Sequence, residues 1–570
     1  MRYLVLACDF DETLARGGRV APETIGALER LIASGRKLML VSGRELDDLL
    51  RIFPEAKLCA RIVAENGALI YNPATREKKY NGDSPPDKFI RALEQKKIEP
   101  LAIGHVIVAT VQPHETTVLS VIRDLGLEMQ VIFNKGAVMI LPAGVNKATG
   151  LALALQDVCI SPHNVVAVGD AENDHALLKL AECAAAVANA LPTLKDRADL
   201  VTEAENGRGV VELIDEIVNE DLKSRIDRLK RHEILLGHRE SGDDVRLCPY
   251  GVNLLITGPS GSGKSTVTTA FLERLKDQGY QFCVIDPEGD YESFEGAVAV
   301  GTEKQPPNID EVMRLLRNPQ ENAVVNLTGI RLKDRPRFFL ALLPRLQDLR
   351  TQVGHPHWIV IDEMHHVLPA SWEAAPQALP KEFDRFAFIT IHPHSVAPQA
   401  LASVNTVIAV GEKAEETLAN IGKLVDQTPP AMSPVKLDQG EGLLWMREDE
   451  TPPFKLRVLP GHTERRRHFR KYAEGDLGPD RSFYFKGPQG KLKLKAQNLI
   501  TFMQLGEGVD DDTWEYHLKK GDYSRWFRSA IKDEDLAGVA ENMERENGVS
   551  PEESRKIIRE AIEQKYTLAG

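Results

Sequence analysis

The chain has little cysteine, and its hydrophobic residues form no long run. Six cysteines in 570 residues make no CxxC pair and no cluster with histidine, which argues against a structural zinc site and a secreted disulfide scaffold. They are Cys8, Cys59, Cys159, Cys183, Cys248 and Cys283. No apolar stretch reaches the about 18 residues of a membrane helix, and the N-terminus runs through a short apolar segment into Asp9. We therefore expect a cytoplasmic protein with no signal peptide and no membrane partner.

Positive charge is also scarce relative to negative charge. The formal net charge is -13, so the chain as a whole offers no basic surface to nucleic acid, and any such binding must be local. The sequence contains neither internal repeats nor low-complexity tracts. A length of 570 residues is too great for one hydrophobic core and predicts roughly three or four domains.

Short apolar runs alternate with amphipathic segments in two regions, which is the pattern of an α/β fold with a parallel sheet. We predict two doubly wound parallel-sheet domains, at residues 1–215 and 232–460, joined by a helical linker at 216–231. Within the first, about 73–145 changes to the proline-containing loops and alternating stretches of a small α+β cap. Residues 461–570 are predicted to form a small, mainly α-helical accessory module. The strands predicted for the second domain are "NLLITG", "QFCVIDP", "AVVNL", "HWIVID", "FAFITIH" and "TVIAVG".

Two pairs of aspartates follow predicted strands. Asp9 and Asp11 flank Phe10 in "CDFDETL", and Asp170 and Asp174 lie one helical turn apart in "VVAVGDAENDHALLKL". An extended strand end projects Asp9 and Asp11 to the same side, and a helical turn brings the other two together. Helix capping is the simpler interpretation of an isolated DxD pair. Two acid pairs at two parallel strand ends instead predict a Mg²⁺ site, because hard oxygen ligands suit that ion.

These residues belong to four motifs in order, "DFDET", "VSGR", "GVNKATGL" and "GDAEND", with "AENGALI" between the second and third. The region from Met1 to Leu213 thereby resembles haloacid dehalogenase superfamily phosphatases of the Cof or IIB type. The resemblance implies that Asp9 attacks phosphorus and forms an aspartyl-phosphate. It also implies that Asp11 protonates the leaving group and then activates water.

The same resemblance implies roles for the other motif residues. Ser42 would hydrogen-bond the phosphoryl oxygens, and Lys147 would neutralise their charge. Asp170 and Asp174 join the two N-terminal aspartates as candidate Mg²⁺ ligands. The local alternatives are a helix cap for Ser42 and a solvated surface position for Lys147. The cap is small, which favours a compact phosphorylated substrate such as phosphoglycolate or a sugar phosphate.

The segment "GPSGSGKST" follows a predicted strand and precedes an amphipathic helix, which is the context of a phosphate-binding P-loop. Lys264 is predicted to reach the β- and γ-phosphates of ATP, and Ser265 to bind Mg²⁺. Asp362, at the end of "HWIVIDE", would hold Mg²⁺ through water, and Glu363 would polarise the attacking water. The candidate nucleotide-binding residues are Gly258, Pro259, Ser260, Gly261, Ser262, Gly263, Lys264, Ser265, Thr266 and Asp362.

Residues His232 to Arg457 also resemble motor ATPases of the HerA and FtsK type, through "VIDPEGDY", "IDEMHH" and "FAFITIHPHS". The resemblance implies a homo-oligomer formed through the ATPase domain. Such motors usually begin with a small β-barrel, which only "HEILLGHRESGDDVRLCPYG" could replace here, so DNA translocation is in doubt. His392 is predicted to be either a γ-phosphate sensor or a buried polar residue. The arginine-finger candidates are Arg331, Arg335, Arg345 and Arg385.

The C-terminal region contains the basic run "ERRRHFRKY" followed by "RSFYFKG". It is either a nucleic-acid surface that stacks bases on Phe483 or Tyr484, or a solvated charged face, and we favour the second. The remaining aromatic residues are predicted to form a small core; they are Trp514, Tyr516, Trp526 and Phe527.

These patterns together predict a bifunctional enzyme, a Mg²⁺-dependent phosphomonoesterase joined to an ATPase. The main alternative is a nucleic-acid end-processing enzyme with 3'-phosphatase and 5'-kinase activities, or a DNA-associated ATPase. Glu363 beside Asp362 favours hydrolysis of ATP over transfer to a bound acceptor. A third alternative is an ATP-switched scaffold with a decayed phosphatase, against which the intact acidic motifs and Lys147 argue.

Overall fold

The computed structural model describes residues 1–371, 379, 383–432, 435–438, 440–449, 451–461, 477, 482–488, 490, 492–531, 533–546 and 549–566. The basic run at 464–472 lies outside these residues. The chain divides into two compact units, Met1–Leu459 and Pro460–Gly570. No helix within the described residues has the length and apolar character needed to cross a membrane.

The first sheet of the larger unit has eight strands in the order β12-β11-β10-β1-β2-β3-β4-β5. Its strands are β1 (Val5–Asp9), β2 (Lys37–Val41), β3 (Arg61–Ala64), β4 (Leu69–Asn72), β5 (Glu77–Tyr80), β10 (Val165–Gly169), β11 (Cys183–Ala186) and β12 (Leu200–Val201). The covering helices are α1 (Pro22–Ala33), α2 (Leu46–Ile52), α5 (Lys147–Asp157), α6 (His175–Leu180), α7 (Pro192–Lys195) and α8 (Asn206–Glu220). The central strands β1 and β10 are parallel and buried along their whole length, as expected for a sheet with helices on both faces.

A separate four-stranded sheet, β6-β7-β9-β8, forms the cap. Its elements are β6 (Ala102–Ile103), β7 (Val108–Val111), β8 (Met129–Asn134), β9 (Ala137–Pro142), α3 (Asp87–Gln95) and α4 (Glu115–Asp124). Strands β8 and β9 are a hairpin whose turn holds Lys135.

The second large sheet has eleven strands in the order β14-β13-β23-β22-β21-β15-β20-β19-β16-β18-β17. The strands are β13 (Ile234–His238), β14 (Asp244–Leu247), β15 (Asn253–Thr257), β16 (Phe282–Asp286), β17 (Val298–Val300), β18 (Ala323–Asn326), β19 (Trp358–Ile361), β20 (Phe386–Thr390), β21 (Thr406–Val410), β22 (Glu441–Met446) and β23 (Phe454–Val458). The helices are α9 (Lys264–Asp277), α10 (Ile309–Leu316), α11 (Arg335–Val353), α12 (Pro398–Ala402) and α13 (Ala414–Leu424). All six predicted strands of this region are present, and the predicted fold class of two parallel-sheet α/β regions is confirmed.

Two segments differ from the sequence-based expectation. Within the predicted helical linker at 216–231, α8 ends at Glu220, Asp221 and Leu222 both have left-handed φ angles, 58° and 59°, and a 3₁₀ helix follows at Lys223–Arg228. The Asp221 carboxylate accepts hydrogen bonds from Tyr3 N (3.3 Å) and Arg36 Nη2 (3.0 Å), which ties this turn to the start of β1. The segment considered as a barrel replacement instead forms β13 and β14, which extend the second sheet through β23.

Among the described residues of the smaller unit, two short strands and five α-helices pack around an aromatic core. They are β24 (Phe483–Phe485), β25 (Leu494–Ala496), α14 (Leu499–Gly508), α15 (Asp511–Lys519), α16 (Asp522–Trp526), α17 (Glu534–Arg545) and α18 (Pro551–Tyr566). Trp514, Trp526 and Phe527 are buried there, as predicted, whereas Tyr516 is half-buried. Phe483 belongs to the same core and is 6% exposed, which argues against the alternative, not favoured from the sequence, in which it stacks bases.

Candidate active sites

Three aspartates meet at the carboxyl edge of the first sheet. Asp9 is the last residue of β1 and Asp170 directly follows β10; because these strands are parallel neighbours, the two residues lie side by side. Asp174 reaches the same point from the turn after Asp170. One carboxylate oxygen of each residue lies within 4.8 Å of the others, and all three residues are buried.

The turn "GDAEND" holds Asp174 in place. Its Oδ2 accepts hydrogen bonds from the backbone N–H groups of Asp170 (2.9 Å) and Ala171 (3.0 Å). A Cβ on Gly169 would lie 2.5 Å from the Asp174 Cγ, so only glycine lets the carboxylate approach the end of β10.

Lys147 completes this cluster from the first turn of α5. Its Nζ donates to Asp9 Oδ1 (2.5 Å) and to Asp174 Oδ1 (2.6 Å), and the residue is 1% exposed. A capping box between Asn146 and Thr149 starts the helix at this residue. Burial and the nearby Asp174 charge raise the pKa of Asp9, and Lys147 opposes that shift. Lys147 is therefore a buried cation between two acids and not a surface lysine.

Asp11 and Ser42 lie beside the cluster but have other partners. The guanidinium of Arg44 binds Asp11 in a bidentate manner, from Nε to Oδ2 at 2.8 Å and from Nη2 to Oδ1 at 2.7 Å. Asp11 is thus separate from the three-carboxylate group in which sequence reasoning included it. Ser42 is fully buried, and its Oγ accepts a hydrogen bond from the Arg44 N–H (3.2 Å).

The predicted P-loop connects β15 to α9 at the carboxyl edge of the second sheet. Gly258, Gly261 and Gly263 all have positive φ, and a Cβ on Gly258 would lie 2.2 Å from the Val410 carbonyl oxygen. Lys264 Nζ donates to the carbonyl oxygens of Gly258 (3.1 Å) and Pro259 (2.8 Å). Burial lowers the pKa of Lys264, and the charges of Glu363 and Asp362 oppose that shift. The loop and these two carboxylates therefore share one site.

Asp362 follows β19, which is separated from the P-loop strand by β20. Burial raises its pKa well above the usual value, and the neighbouring Glu363 adds to the effect. Glu363 has a left-handed φ of 36°, and its Oε2 lies 3.4 Å from His365 Nδ1. Asp286 has a different role, because its carboxylate caps the "DPEGDY" turn by accepting backbone N–H groups at 2.8–3.2 Å.

Two regions of the chain are similar to known proteins. A family model described as haloacid dehalogenase-like hydrolase matches residues 6–105 and 95–214, and an AAA domain model matches 251–391. Phosphoglycolate phosphatase 2 of Saccharolobus solfataricus is 32% identical over 231 residues, covering 39% of this chain and 96% of that protein. Phosphoglycolate phosphatase of Natronomonas pharaonis is 31% identical over 221 residues, and the alignment covers 37% of this chain and 96% of that protein. A haloacid dehalogenase-like hydrolase structure from Bacteroides thetaiotaomicron aligns at 20% identity and a TM-score of 0.34, and the alignment covers 38% of this chain and 99% of that one.

The N-terminal region of the chain belongs to the haloacid dehalogenase-like hydrolases. The alignment spans 96% of the length of each of these two relatives. The second region is an AAA-type ATPase domain, which confirms the P-loop assignment. The narrower HerA and FtsK resemblance is not part of this result.

The cap supplies a hydrolase-domain residue that sequence reasoning missed. Lys135, in the turn between β8 and β9, forms an ion pair with Asp170 Oδ2. It overlies a cavity of about 240 Å³. The cavity is lined by Asp9, Asp11, Glu12, Gly43, Arg44, Asn134, Lys135, Met139, Asp170 and Ala171. The dipeptide Lys-Gly between two alternating apolar runs is a hairpin signal that places a cation at a turn, although it does not say where the turn points.

Glu65 is a second residue that was missed, from the hydrolase motif "AENGALI". It is fully buried, and its carboxylate accepts hydrogen bonds from the backbone N–H groups of His105 (3.0 Å), Val106 (2.8 Å) and Ile107 (3.1 Å) of the cap. Gly67 is required beside it, because a Cβ there would lie 1.9 Å from the Asn146 carbonyl oxygen. This motif therefore joins the cap to the start of α5.

The structure also places the candidates for the γ-phosphate sensor and the arginine finger of the ATPase domain. His392 is exposed and lies 5.2 Å from the His365 ring, so the alternative of a buried polar residue is wrong. Arg385 precedes β20 and is 6% exposed, at the edge of the sheet opposite the P-loop. It cannot reach the P-loop of its own chain.

The other three arginine-finger candidates differ in their partners. Arg335 donates to the Ile330 carbonyl (3.2 Å), Arg345 pairs with Asp310 (3.0 Å), and Arg331 is exposed.

Proposed function

We propose that residues 1–215 hydrolyse a small phosphomonoester that carries a second anionic group, with phosphoglycolate as the leading candidate, and that residues 232–460 bind and hydrolyse ATP. The observation that carries the first activity is the buried group of Asp9, Asp174 and Lys147 below the Lys135 turn. Its neighbours by sequence include phosphoglycolate phosphatases, which supports the choice of substrate.

The acid cluster fits Mg²⁺. Oxygens of Asp9, Asp170 and Asp174 lie within 4.8 Å of one another, and burial together with the charge of Asp174 raises the pKa of Asp9 and of Asp170. Such a set of oxygen ligands is the kind that Mg²⁺ takes in phosphoryl-transfer sites. The bound ion would supply positive charge to the phosphoryl oxygens.

In the proposed reaction an Asp9 carboxylate oxygen forms a bond to phosphorus while the bond from phosphorus to the leaving oxygen breaks. Asp11 donates its proton to that leaving oxygen, and Lys147 stabilises the charge on the phosphoryl oxygens. In the second half Asp11 takes a proton from water, the water oxygen attacks phosphorus, and the bond to Asp9 breaks. In the structure Arg44 donates to both oxygens of Asp11, which favours the ionised carboxylate, so the proposed acid step requires this ion pair to open before Asp11 takes up its proton.

Two cations at the cavity support a substrate with a second negative charge. Lys135 and Arg44 both line the cavity, on the cap side and the core side respectively. Lys147 is buried between Asp9 and Asp174, whereas Lys135 and Arg44, although paired with Asp170 and with Asp11, line the cavity itself, where a substrate can reach them. A carboxylate next to the phosphoester would suit them. A neutral sugar would leave the Lys135 charge without a partner on the substrate.

The test is a phosphate-release screen with Mg²⁺ across phosphoglycolate, sugar phosphates, nucleotides and 3'-phosphorylated DNA. We expect kcat/KM to be highest for phosphoglycolate and to fall roughly 10²- to 10⁴-fold in Asp11→Asn, because the general acid is lost. Preference for a neutral sugar phosphate would reject the assignment of the second anion. Preference for the 3'-phosphorylated DNA end would favour the end-processing alternative.

For the ATPase domain we propose that the P-loop amides and Lys264 bind the phosphates of ATP, that Ser265 and Asp362 hold Mg²⁺, and that Glu363 orients the attacking water. The arrangement is supported by the charges of Glu363 and Asp362, which act to raise the pKa of Lys264 against the effect of burial, and by the order β15-β20-β19, which sets the strand before Asp362 two positions from the P-loop strand. We retain the HerA-like motor subclass and assembly through this domain as proposals. A chromatographic mass measurement with and without ATP tests the assembly, with a ring-sized oligomer as the expected result.

A further inference from the structure

A buried polar cluster lies far from both candidate active sites, where the hydrolase domain contacts the ATPase domain. His163 precedes β10 and Glu182 precedes β11, so both occupy the amino edge of the first sheet, opposite Asp9 and Asp170. Gln278 and Tyr280 precede β16 at the amino edge of the second sheet. His232 comes from the segment that joins the two domains. We call His163, Glu182 and His232 the interface triad.

The triad residues converge on one carboxylate oxygen. Glu182 Oε2 lies 2.5 Å from His163 Nδ1 and 4.0 Å from His232 Nε2. The ligand-type atoms of all three residues lie within 4.8 Å of one another. The side chains of His163 and Glu182 are 8% and 1% exposed, and His232 Nε2 is buried with no hydrogen-bond partner among the described residues.

The partners of His163 determine which nitrogen carries its proton. Nε2 lies 2.8 Å from the Gln278 carbonyl oxygen, which can only accept, so Nε2 is the donor. A neutral ring then presents the Nδ1 lone pair to a carboxylate oxygen 2.5 Å away. Two acceptors at that distance require a cation between them, either a second proton on His163 or a metal ion.

We propose that the interface triad binds a divalent transition-metal ion of the zinc class, through His163 Nδ1, Glu182 Oε2 and His232 Nε2. Two imidazoles and one carboxylate are a ligand set that Zn²⁺ accepts and that Mg²⁺ disfavours. The unpartnered His232 nitrogen is what separates this site from a simple ion pair, since a proton between His163 and Glu182 gives it no role.

The residues around the interface triad also fit a metal site. Two of the three ligands have supporting partners: His163 binds the Gln278 carbonyl, and Glu182 Oε1 accepts from Arg2 Nη2 (2.9 Å). Tyr280 OH lies 3.1 Å from both Glu182 oxygens, so Oε2 has one neutral donor besides the two histidine nitrogens that it faces. A cavity of about 530 Å³, lined in part by His163 and His232, provides a path for the ion and space for a water or an external ligand in a fourth position.

The experiment uses the full-length protein, stripped with EDTA and then held in excess Mg²⁺ so that the aspartate cluster does not compete. Zn²⁺ is titrated against a competing chelator, and Co²⁺ is added separately while visible absorption is recorded. The variants are His232→Ala and, as a matched histidine control, His238→Ala, which removes a half-exposed ring paired with Asp244 at 3.0 Å. Hydrolysis of p-nitrophenyl phosphate reports that each variant is folded.

We expect wild type and His238→Ala to bind one Zn²⁺ per chain and to show a Co²⁺ absorption band. His232→Ala should bind Zn²⁺ about 10-fold or more weakly and lose the band, while its phosphatase rate is unchanged. Equal Zn²⁺ affinity in wild type and His232→Ala, or no binding by wild type, would overturn the proposal in favour of a protonated His163. If His232→Ala does not fold, His232→Gln takes its place, and the same weakening of Zn²⁺ binding relative to wild type is expected.

Discussion

The two candidate active sites use the same parts in different ways. Each lies at the carboxyl edge of a parallel sheet and combines strand-end acids with one lysine from the first turn of a following helix. In the hydrolase domain Lys147 binds two of the acids, at 2.5 and 2.6 Å. In the ATPase domain Lys264 binds two carbonyl oxygens of its own loop, at 3.1 and 2.8 Å.

The two lysines differ in what their charge stabilises: Lys147 stabilises buried acids of its own domain, whereas Lys264 is available to an incoming phosphate. Lys147 is buried between charges, so the stability of its domain depends on it as well as the chemistry. Lys264 has neutral partners that nucleotide phosphates can replace at small cost, because a hydrogen bond to a neutral carbonyl contributes little net free energy. The hydrolase site is therefore a charge network that is largely self-satisfied, and the P-loop is a frame for an incoming anion.

The largest expected effect separates the two chemistries. Asp9→Asn should lower phosphatase kcat by on the order of 10⁴-fold, because an amide neither attacks phosphorus nor carries the charge of the acid cluster. ATP hydrolysis by the same variant should be unchanged. The measurement is phosphate release from phosphoglycolate and from ATP, with Asp83→Asn, an exposed acid of the cap, as the control. Normal phosphatase turnover by Asp9→Asn would exclude the aspartyl-phosphate.

The corresponding change in the ATPase domain is Glu363→Gln. It should retain ATP binding and lower hydrolysis by about 10²- to 10³-fold, because the carboxylate no longer orients water. The label of γ-labelled ATP is followed with and without 5'-hydroxyl DNA, and exposed Glu303→Gln is the control. Transfer of label to the DNA end would contradict the ATPase proposal and support a kinase.

The lysines themselves test the comparison through stability. Lys147→Met should lower the free energy of unfolding by about 3–5 kcal/mol in EDTA, since two buried carboxylates lose their cation, and Mg²⁺ should recover part of the loss. Lys264→Met should cost less than about 1.5 kcal/mol and abolish ATP hydrolysis. Urea unfolding with and without Mg²⁺ measures both. Equal losses in the two variants would show that the lysines do not differ in role.

The smallest expected effect concerns substrate choice. Lys135→Met should raise the KM for phosphoglycolate about 10-fold and leave kcat within a few-fold, because one charge-assisted contact to the substrate is lost. Hydrolysis of p-nitrophenyl phosphate should change less, since it has no carboxylate. The exposed cap residue Lys88 provides the control variant Lys88→Met. A similar rise in KM for both substrates would mean that Lys135 contacts the phosphate.

Local motifs predicted most of each site. Asp9, Asp170 and Asp174 meet as expected, because the carboxyl ends of parallel strands lie at one edge of a sheet. Lys147, which begins a helix, was expected there only from the resemblance to the hydrolase family. The P-loop was recognisable because its glycines, lysine and flanking strand and helix are contiguous. Asp11 was placed with the acids by proximity in sequence, whereas its carboxylate turns to Arg44.

What the amino-acid sequence by itself determined is everything that depends on neighbours along the chain: two parallel-sheet regions, their strands, the phosphate-binding loop and the motif acids. What only the tertiary structure decided is which distant residues meet. Lys135 reaches Asp170 through the placement of the cap hairpin, Glu65 joins the cap to the core, and His163, Glu182 and His232 come together at the domain interface. No pattern encodes these encounters, because they arise from packing between elements and not from periodicity within one.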